Sequence, residues 1–412
     1  MNNRIGPDES TVTNSETTPL RRFYDHLRKR KLIWIICLII LIVVIIAVVT
    51  TTVLLKKTKI EKTSAIEITT PISTPATTKK ITTTSSSSSS SSSSTTTAAI
   101  TTSEQLIPFV MIDNNTKWKQ NAVTVAGGSQ PGGGSDQLKY PSGIYVDNDD
   151  DSIYITDSGN DRIVRWKFDS NNGEVVAGGN GRGDEMNQLY QPTDVILDKE
   201  KKHLIICDGS NYRVMKWSRQ NNQNPQILMD DTFCWGLAMD NNGDLYVSDN
   251  GMHRVIRWQK ENKEITTVAG GNGVGNQLNQ FHFIKYMFVD KDHSVYVADS
   301  MNNRVMKWMK DANEGILIAP GQVSNNNPNT LLQPAGVIVD HMGNIYTSKA
   351  IKSRIERWSP CAIEGVPIVG EQVGSNSMTP NLLSELSFDR HGNLYVADTE
   401  NHRIQKFVID LD

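Results

Sequence analysis

Chemistry in this chain would have to come from a few residues that break an otherwise regular pattern. Six segments end in Asp147, Asp198, Asp240, Asp290, Asp340 and Asp389. Aligned on those aspartates, the place of Gly143 is taken by Asp194, Gly236, Tyr286, Gly336 and Glu385, and the place of Ser142 by Thr193, Trp235, Lys285, Ala335 and Ser384. Two carboxylates could accept hydrogen bonds or hold a hard cation. A lysine could meet an anion, and Trp and Tyr offer flat apolar faces. None of the six segments contains histidine. His293, His341 and His391 fall between the first segment of a copy and the next, and His203 lies close to such a place. His253 and His402 lie in a recurring turn, and His282 precedes a first segment. No histidine cluster has metal-ligand spacing, so the zinc-type hydrolase reading has little to stand on. No cofactor is expected; calcium, held between Asp194 and Glu385, is the ion these side chains would admit.

The elements that would position these residues are repeats. Tyr154, Asp157, Asn160, Arg162 and Trp166 return as Asp208, Asn211, Arg213 and Trp217. Further copies read Tyr246, Asp249, Arg254 and Trp258, then Tyr296, Asp299, Asn302, Arg304 and Trp308. A fifth has Tyr346, Arg354 and Trp358, with Lys349 and Lys352 where others have Asp and Asn; the sixth has Tyr395, Asp398, Asn401, Arg403 and Phe407. The aspartate positions are spaced by 51, 41, 50, 50 and 49 residues. Each copy divides into four short apolar or alternating stretches punctuated by Asn, Asp and Gly, the pattern of antiparallel hairpins. Four strands at this period make a propeller blade. A motif present in nearly every blade is expected to hold turns: Asp and Asn accept backbone N–H groups and Arg pairs with the Asp. The Trp series is expected to pack neighbouring blades, and the first-strand aspartates to cap hairpins.

The segment from Asp389 through Gly392, Tyr395, Asp398, Asn401 and Arg403 to Phe407 resembles an NHL repeat, and the likeness extends over all six copies, about 118–407. It implies an all-β, six-bladed NHL-type β-propeller. The sixth copy ends soon after its third strand, while Val123-Thr124-Val125-Ala126-Gly127-Gly128 matches fourth strands such as Val175 to Gly179. The N-terminal strand is therefore expected to complete the last blade and cover its open edge. In such a ring Asp194, Trp235, Lys285, Tyr286 and Glu385 would surround the mouth of the central channel, a concave place suited to ligand binding. Copy three lacks an interblade insert of about ten residues. Cys234 in that short connection and Cys207 at the end of the preceding blade's second strand would share one rim, so a Cys207–Cys234 disulfide is expected in an oxidising compartment.

Two glycine-rich stretches, Gly178 to Gly181 and Gly270 to Gly273, lack the Lys-Ser/Thr ending of a phosphate loop and no helix follows, so they read as connectors. Arg182-Gly183-Asp184 spells an adhesion tripeptide, but so short a match arises readily by chance.

The first quarter of the 412 residues is unlike the rest. Residues 1–104 carry 13 Lys/Arg against 7 Asp/Glu, or +6, and residues 105–412 carry 29 against 38, or −9. Leu32 to Val49 is an unbroken apolar run of 18 residues that continues past three threonines to Leu55. A helix over 32–55 would be about 36 Å long, enough to cross a bilayer core of about 30 Å. Arg21, Arg22, Arg28, Lys29, Arg30 and Lys31 outweigh the cations on the other flank, which keeps residues 1–31 on the cytoplasmic side. Residues 56–104 form a stalk: 27 of the 41 residues from Thr63 to Ser103 are Ser or Thr, a composition that packs nothing and commonly carries O-linked sugars outside the cell. Asn114 begins the one N-glycosylation sequon. Residues 105–412 would be the propeller.

Together these features predict a single-pass plasma-membrane protein with an extracellular propeller that binds a protein, peptide or glycan. The net charge of −9 beyond residue 104 argues against nucleic acid, whose binding needs clustered cations. The alternative is a metal-dependent hydrolase or lyase, since propellers that resemble this one include lactonases and peptide-amidating lyases.

Overall fold

The computed structural model describes residues 112–411, except 129, 221–223, 321–330, 351–352, 363 and 371–379. The expected tail, membrane helix and stalk lie outside the described residues. Within the described residues no helix is long and apolar enough to cross a membrane.

Six four-stranded antiparallel sheets follow one another along the chain. Their first strands are Pro141–Asp147, Asp194–Leu197, Cys234–Met239, Ile284–Val289, Pro334–Val339 and Leu383–Phe388. They are the blades of a propeller, here numbered one to six. Between each blade and the next lies a separate apolar core. Tyr154, Ile163 and Ala177 of blade one, for example, meet Val195, Leu204 and Trp217 of blade two. Tyr296, Val305 and Ala319 of blade four meet Val337, Ile345 and Trp358 of blade five. The recurring Trp is thus inter-blade packing, as its spacing predicts. Blade six meets blade one through Tyr395, Ala397 and Ile404 against Ile144, Ile155 and Trp166, so the ring is closed.

Closure uses the N-terminal strand. Val123–Gly127 pairs antiparallel with Arg403–Phe407 and supplies blade six with its fourth strand. A second, shorter pairing joins Lys117–Trp118 to Ile409–Asp410. Trp118 donates its indole N–H to the Gly392 carbonyl at 2.9 Å. The edge of Arg403–Phe407 is thereby covered, and Val123–Gly127 becomes the outer strand of blade six.

The Asp-x-x-Asn-x-Arg motif does more than close its own turn. Asp157 Oδ1 accepts the Lys139 N–H at 2.6 Å, and Oδ2 accepts from Asn160 Nδ2 and Arg162 Nε. Arg162 then donates to the carbonyls of Gly133, Gly134 and Gln137. The same set recurs around Asp208 with Arg213 and around Asp299 with Arg304. Each motif therefore fastens the loop that leads into its own blade. Blade three has the short connection, and there Arg254 keeps the Asp249 bond but otherwise reaches Thr267 Oγ1. First-strand aspartates cap hairpins as expected: Asp240 Oδ1 accepts the N–H groups of Asn242 and Asp244. Arg182 of the adhesion tripeptide binds Asp161 at 3.0 Å and lies over the Tyr190 ring, so it serves the connector.

Blade five inverts the motif's charge. Lys349, fully buried where the others have Asp, forms an ion pair with buried Glu356, which Arg354 also reaches at 2.8 Å. In blades one to four the place of Glu356 holds Val164, Met215, Ile256 and Met306.

Candidate functional site

Two faces of the ring differ. One carries the turns between second and third strands, together with the residues leading into the first strands. On it lies a cavity of about 520 Å³. The opposite face carries the hairpins between first and second strands. A second hollow of about 320 Å³ opens there and is lined by first strands from all six blades.

The five side chains expected at the mouth divide between two levels. Trp235 and Lys285 line the 520 Å³ cavity, with Ser142, Thr193 and Ser384 from the same aligned position. Asp194, Tyr286 and Glu385 do not line it. Asp194 and Tyr286 are buried in the channel, and Glu385 borders the hollow on the far side. The aligned position alternates small and large around the ring for a steric reason. A Cβ on Gly143 would come within 2.7 Å of the Asp194 Cα, and one on Gly236 within 2.5 Å of the Lys285 carbonyl oxygen. A Cβ on Gly336 would come within 3.0 Å of the Ser384 carbonyl oxygen. First strands converge so closely that each large residue needs a glycine in the preceding blade. The three large side chains then meet on the axis and separate the two hollows.

This plug is internally bonded. Asp194 accepts the backbone N–H groups of Val195 and Leu237, both at 2.7 Å. Glu385 Oε2 accepts the Ile144 N–H at 2.6 Å. Tyr286 Oη donates to the Thr193 carbonyl at 3.0 Å and accepts from Ser384 Oγ at 3.3 Å. Loss of hydration lifts Asp194 to about 7. The same burial, reinforced by the neighbouring Asp194 charge, holds Glu385 well above the usual carboxylate range. The two carboxyls face each other closely enough to share a proton, as paired buried carboxyls do.

The cavity wall is rich in hydroxyls, and they are oriented. Ser142 donates to the Thr193 carbonyl at 2.9 Å, Ser158 to Pro192 at 2.6 Å and Thr399 to Pro141 at 2.8 Å. Thr193 donates to the Cys234 carbonyl at 3.5 Å, and Ser210 to Gln191 Oε1 at 3.0 Å. Apolar surface comes from Tyr140, Phe233 and Trp235. Trp235 stands edge-on to Phe283 at 5.0 Å, and its buried indole N–H has no acceptor. Lys285 is half-buried and forms no ion pair with any described residue; burial pulls its ammonium below the ordinary lysine value.

Ser158, Ser210 and Thr399 were not singled out by the sequence reading. Each lies one or two residues after its blade's motif Asp, so the position just past that Asp was the available signal. Cys207 and Cys234 are bonded, with Cα atoms 5.6 Å apart. Cys234 opens the first strand of blade three instead of lying in the connection before it. The bond ties blade two to blade three directly beside Thr193 and Trp235. Cys361 is free and exposed. Asn114 is exposed in a turn fixed by bonds between Asp113 and Thr116. Among the described residues no group of three or more His, Cys, Asp or Glu converges as metal ligands would. His203 and His293 instead bind the hairpin aspartates Asp198 and Asp240.

These blades and their closure define a six-bladed β-propeller. The NHL repeat family matches residues 138–166, 232–258 and 384–407. No curated protein matches the chain. Several solved structures share its fold. An auxiliary nutrient binding protein from Bacteroides thetaiotaomicron aligns at 13% identity over 71% of this chain and 77% of its own, with a TM-score of 0.55. A protein of unknown function from the same organism aligns at 18% identity over 71% and 77%, with a TM-score of 0.53. A gluconolactonase from Xanthomonas campestris aligns at 11% identity over 73% and 99%, with a TM-score of 0.51.

Proposed function

We propose that the chain is a single-pass plasma-membrane protein whose propeller acts outside the cell as a binding module for a protein, peptide or glycan. Residues 32–55 would cross the bilayer, the cationic flank would keep residues 1–31 inside, and residues 56–104 would hold the ring off the surface. The observation that carries the binding reading is the cavity of about 520 Å³. It lies within the roughly 300–1,000 Å³ of small-molecule sites and combines aromatic surface with oriented hydroxyls and one lysine. The disulfide and the exposed Asn114 sequon are what an extracellular setting would use.

The test uses cells expressing the full-length chain with a C-terminal tag. An antibody to the tag should stain intact cells, and Trp235→Ala with Lys285→Ala should abolish retention of cell-surface material without loss of staining. Staining only after permeabilisation overturns the orientation; undiminished retention by the double variant overturns the site. The alternative is a metal-dependent hydrolase or lyase, favoured by the Asp194–Glu385 pair on the axis. Purified chain that retains one calcium or zinc per molecule through dialysis would decide for it.

A further inference from the structure

Resting on the same cavity, we infer that its ligand is a carboxylated sugar: a polyol ring with one acidic group, recognised through its hydroxyl donors and its carboxylate. The wall makes this selection. A hydroxyl has one proton to donate and two lone pairs to accept with. Ser142, Ser158, Thr193, Ser210, Ser384 and Thr399 line the cavity, and each has a protein acceptor for its proton, Ser142 and Ser158 also bonding to each other at 2.7 Å. What they retain toward the lumen is acceptor capacity. Such a surface favours a ligand with several O–H donors, and it repels anionic oxygens brought against it.

An acidic group therefore has to go where donors remain. Lys285 offers three N–H donors and a full charge, and no described carboxylate neutralises it. Gln191 is the second place: its Oε1 is taken by Ser210, which leaves its amide N–H groups for a ligand. One cation among many acceptors suits a single carboxylate and disfavours a polyphosphate, whose further charges would meet only lone pairs. A cationic ligand is disfavoured by Lys285, since no Asp or Glu lines the cavity. Tyr140, Phe233 and Trp235 supply the flat apolar surface against which the C–H face of a sugar ring packs.

The test uses the full-length chain in detergent, with methyl β-D-glucuronide as probe. Methyl β-D-glucoside (the same polyol without charge) and N-acetylglycine (a carboxylate without polyol) are the controls. Binding is read by saturation-transfer NMR and by quenching of tryptophan fluorescence. The glucuronide should bind at least about tenfold tighter than either control, which corresponds to about 1.4 kcal/mol. Lys285→Met should remove that preference while thermal stability is kept. Equal binding of glucoside and glucuronide overturns the inference, as does N-acetylglycine matching the glucuronide, no binding of the glucuronide at 20 mM, or a Lys285→Met variant that binds it as wild type does. Free glucuronic acid distinguishes the source: a preference for the free acid marks a soluble sugar acid, and equal binding of the glycoside marks a glycan terminus, each in support. The outcome is independent of the antibody test, so the extracellular reading and the ligand class can fail separately.

Discussion

Asp194 and Glu385 show how one side chain's meaning changes with what surrounds it. In the sequence they are two acids in places that three of the other copies fill with glycine, open to a role in binding a ligand or calcium. In the fold they accept backbone N–H groups from Val195, Leu237 and Ile144, and burial with their mutual approach raises both above the usual carboxylate range. This has a consequence for stability. An unfolded carboxyl titrates near pH 4, whereas burial raises Asp194 to about 7. Between those values the folded chain holds a proton that the unfolded chain has released, so the raised value favours folding at low pH and the gain is lost as pH rises. Stability should fall between about pH 4 and 7 by up to about 1.4 kcal/mol per pH unit for one proton. The double variant Asp194→Asn, Glu385→Gln keeps carbonyl acceptors for the N–H groups and should lower that slope. Denaturant melts at several pH values measure it; an identical slope in the variant would show that the protons are bound elsewhere.

At the scale of the element, blade five tests what the turn motif is for. Lys349 and Lys352 read as a break in the pattern, and Lys352 lies outside the described residues. The structure shows compensation: Lys349 is paired with Glu356 on the adjacent strand, at a place that is apolar in blades one to four. The second strand has exchanged its buried Asp for Lys, and the third keeps Arg354 and gains Glu356 at an otherwise apolar place, while the hairpin pairing is retained. Restoring the common residue alone, as Lys349→Asp, would set two buried carboxyls against each other and should cost about 3–5 kcal/mol. Adding Glu356→Met, the residue found at Met215 and Met306, frees Arg354 to pair with the new Asp and should recover most of that loss. A double-mutant cycle read by chemical denaturation gives the coupling. Additive losses would mean that the two side chains do not depend on each other.

The propeller as a whole depends on a pairing between its first and last strands. Val123–Gly127 completes the blade that Leu383–Phe388 begins, and Trp118 locks the closure through Gly392. Removing residues 118–128 would expose the edge of Arg403–Phe407 and open the core between blades six and one. The deletion should lower the melting temperature by more than about 10 °C and promote association through the bared strand. Calorimetry and light scattering would detect both effects, and an unchanged melt would show that the ring does not need this strand.

Much of the architecture was legible because it is local and repeated. Strand period, turn residues and a spacing near 50 recur often enough in the chain to identify blades, and the unmatched Val123 to Gly128 segment pointed to its place in blade six. The short interval before copy three likewise placed Cys234 near Cys207. The division of the mouth residues into a plug and a wall was not legible. Neighbours in sequence, such as Lys285 and Tyr286, point to opposite sides of a strand, and which side is lumen and which is interior depends on how tightly six strands crowd one axis. The orientation of each wall hydroxyl was equally hidden, since the acceptors that take its proton are carbonyls brought close only by ring closure. The residues by themselves determined a propeller, its number of blades and the strand that shuts it. Only the tertiary structure decided which polar groups are consumed within the protein and which are left for a ligand, because that depends on distances between chain segments that no local pattern encodes.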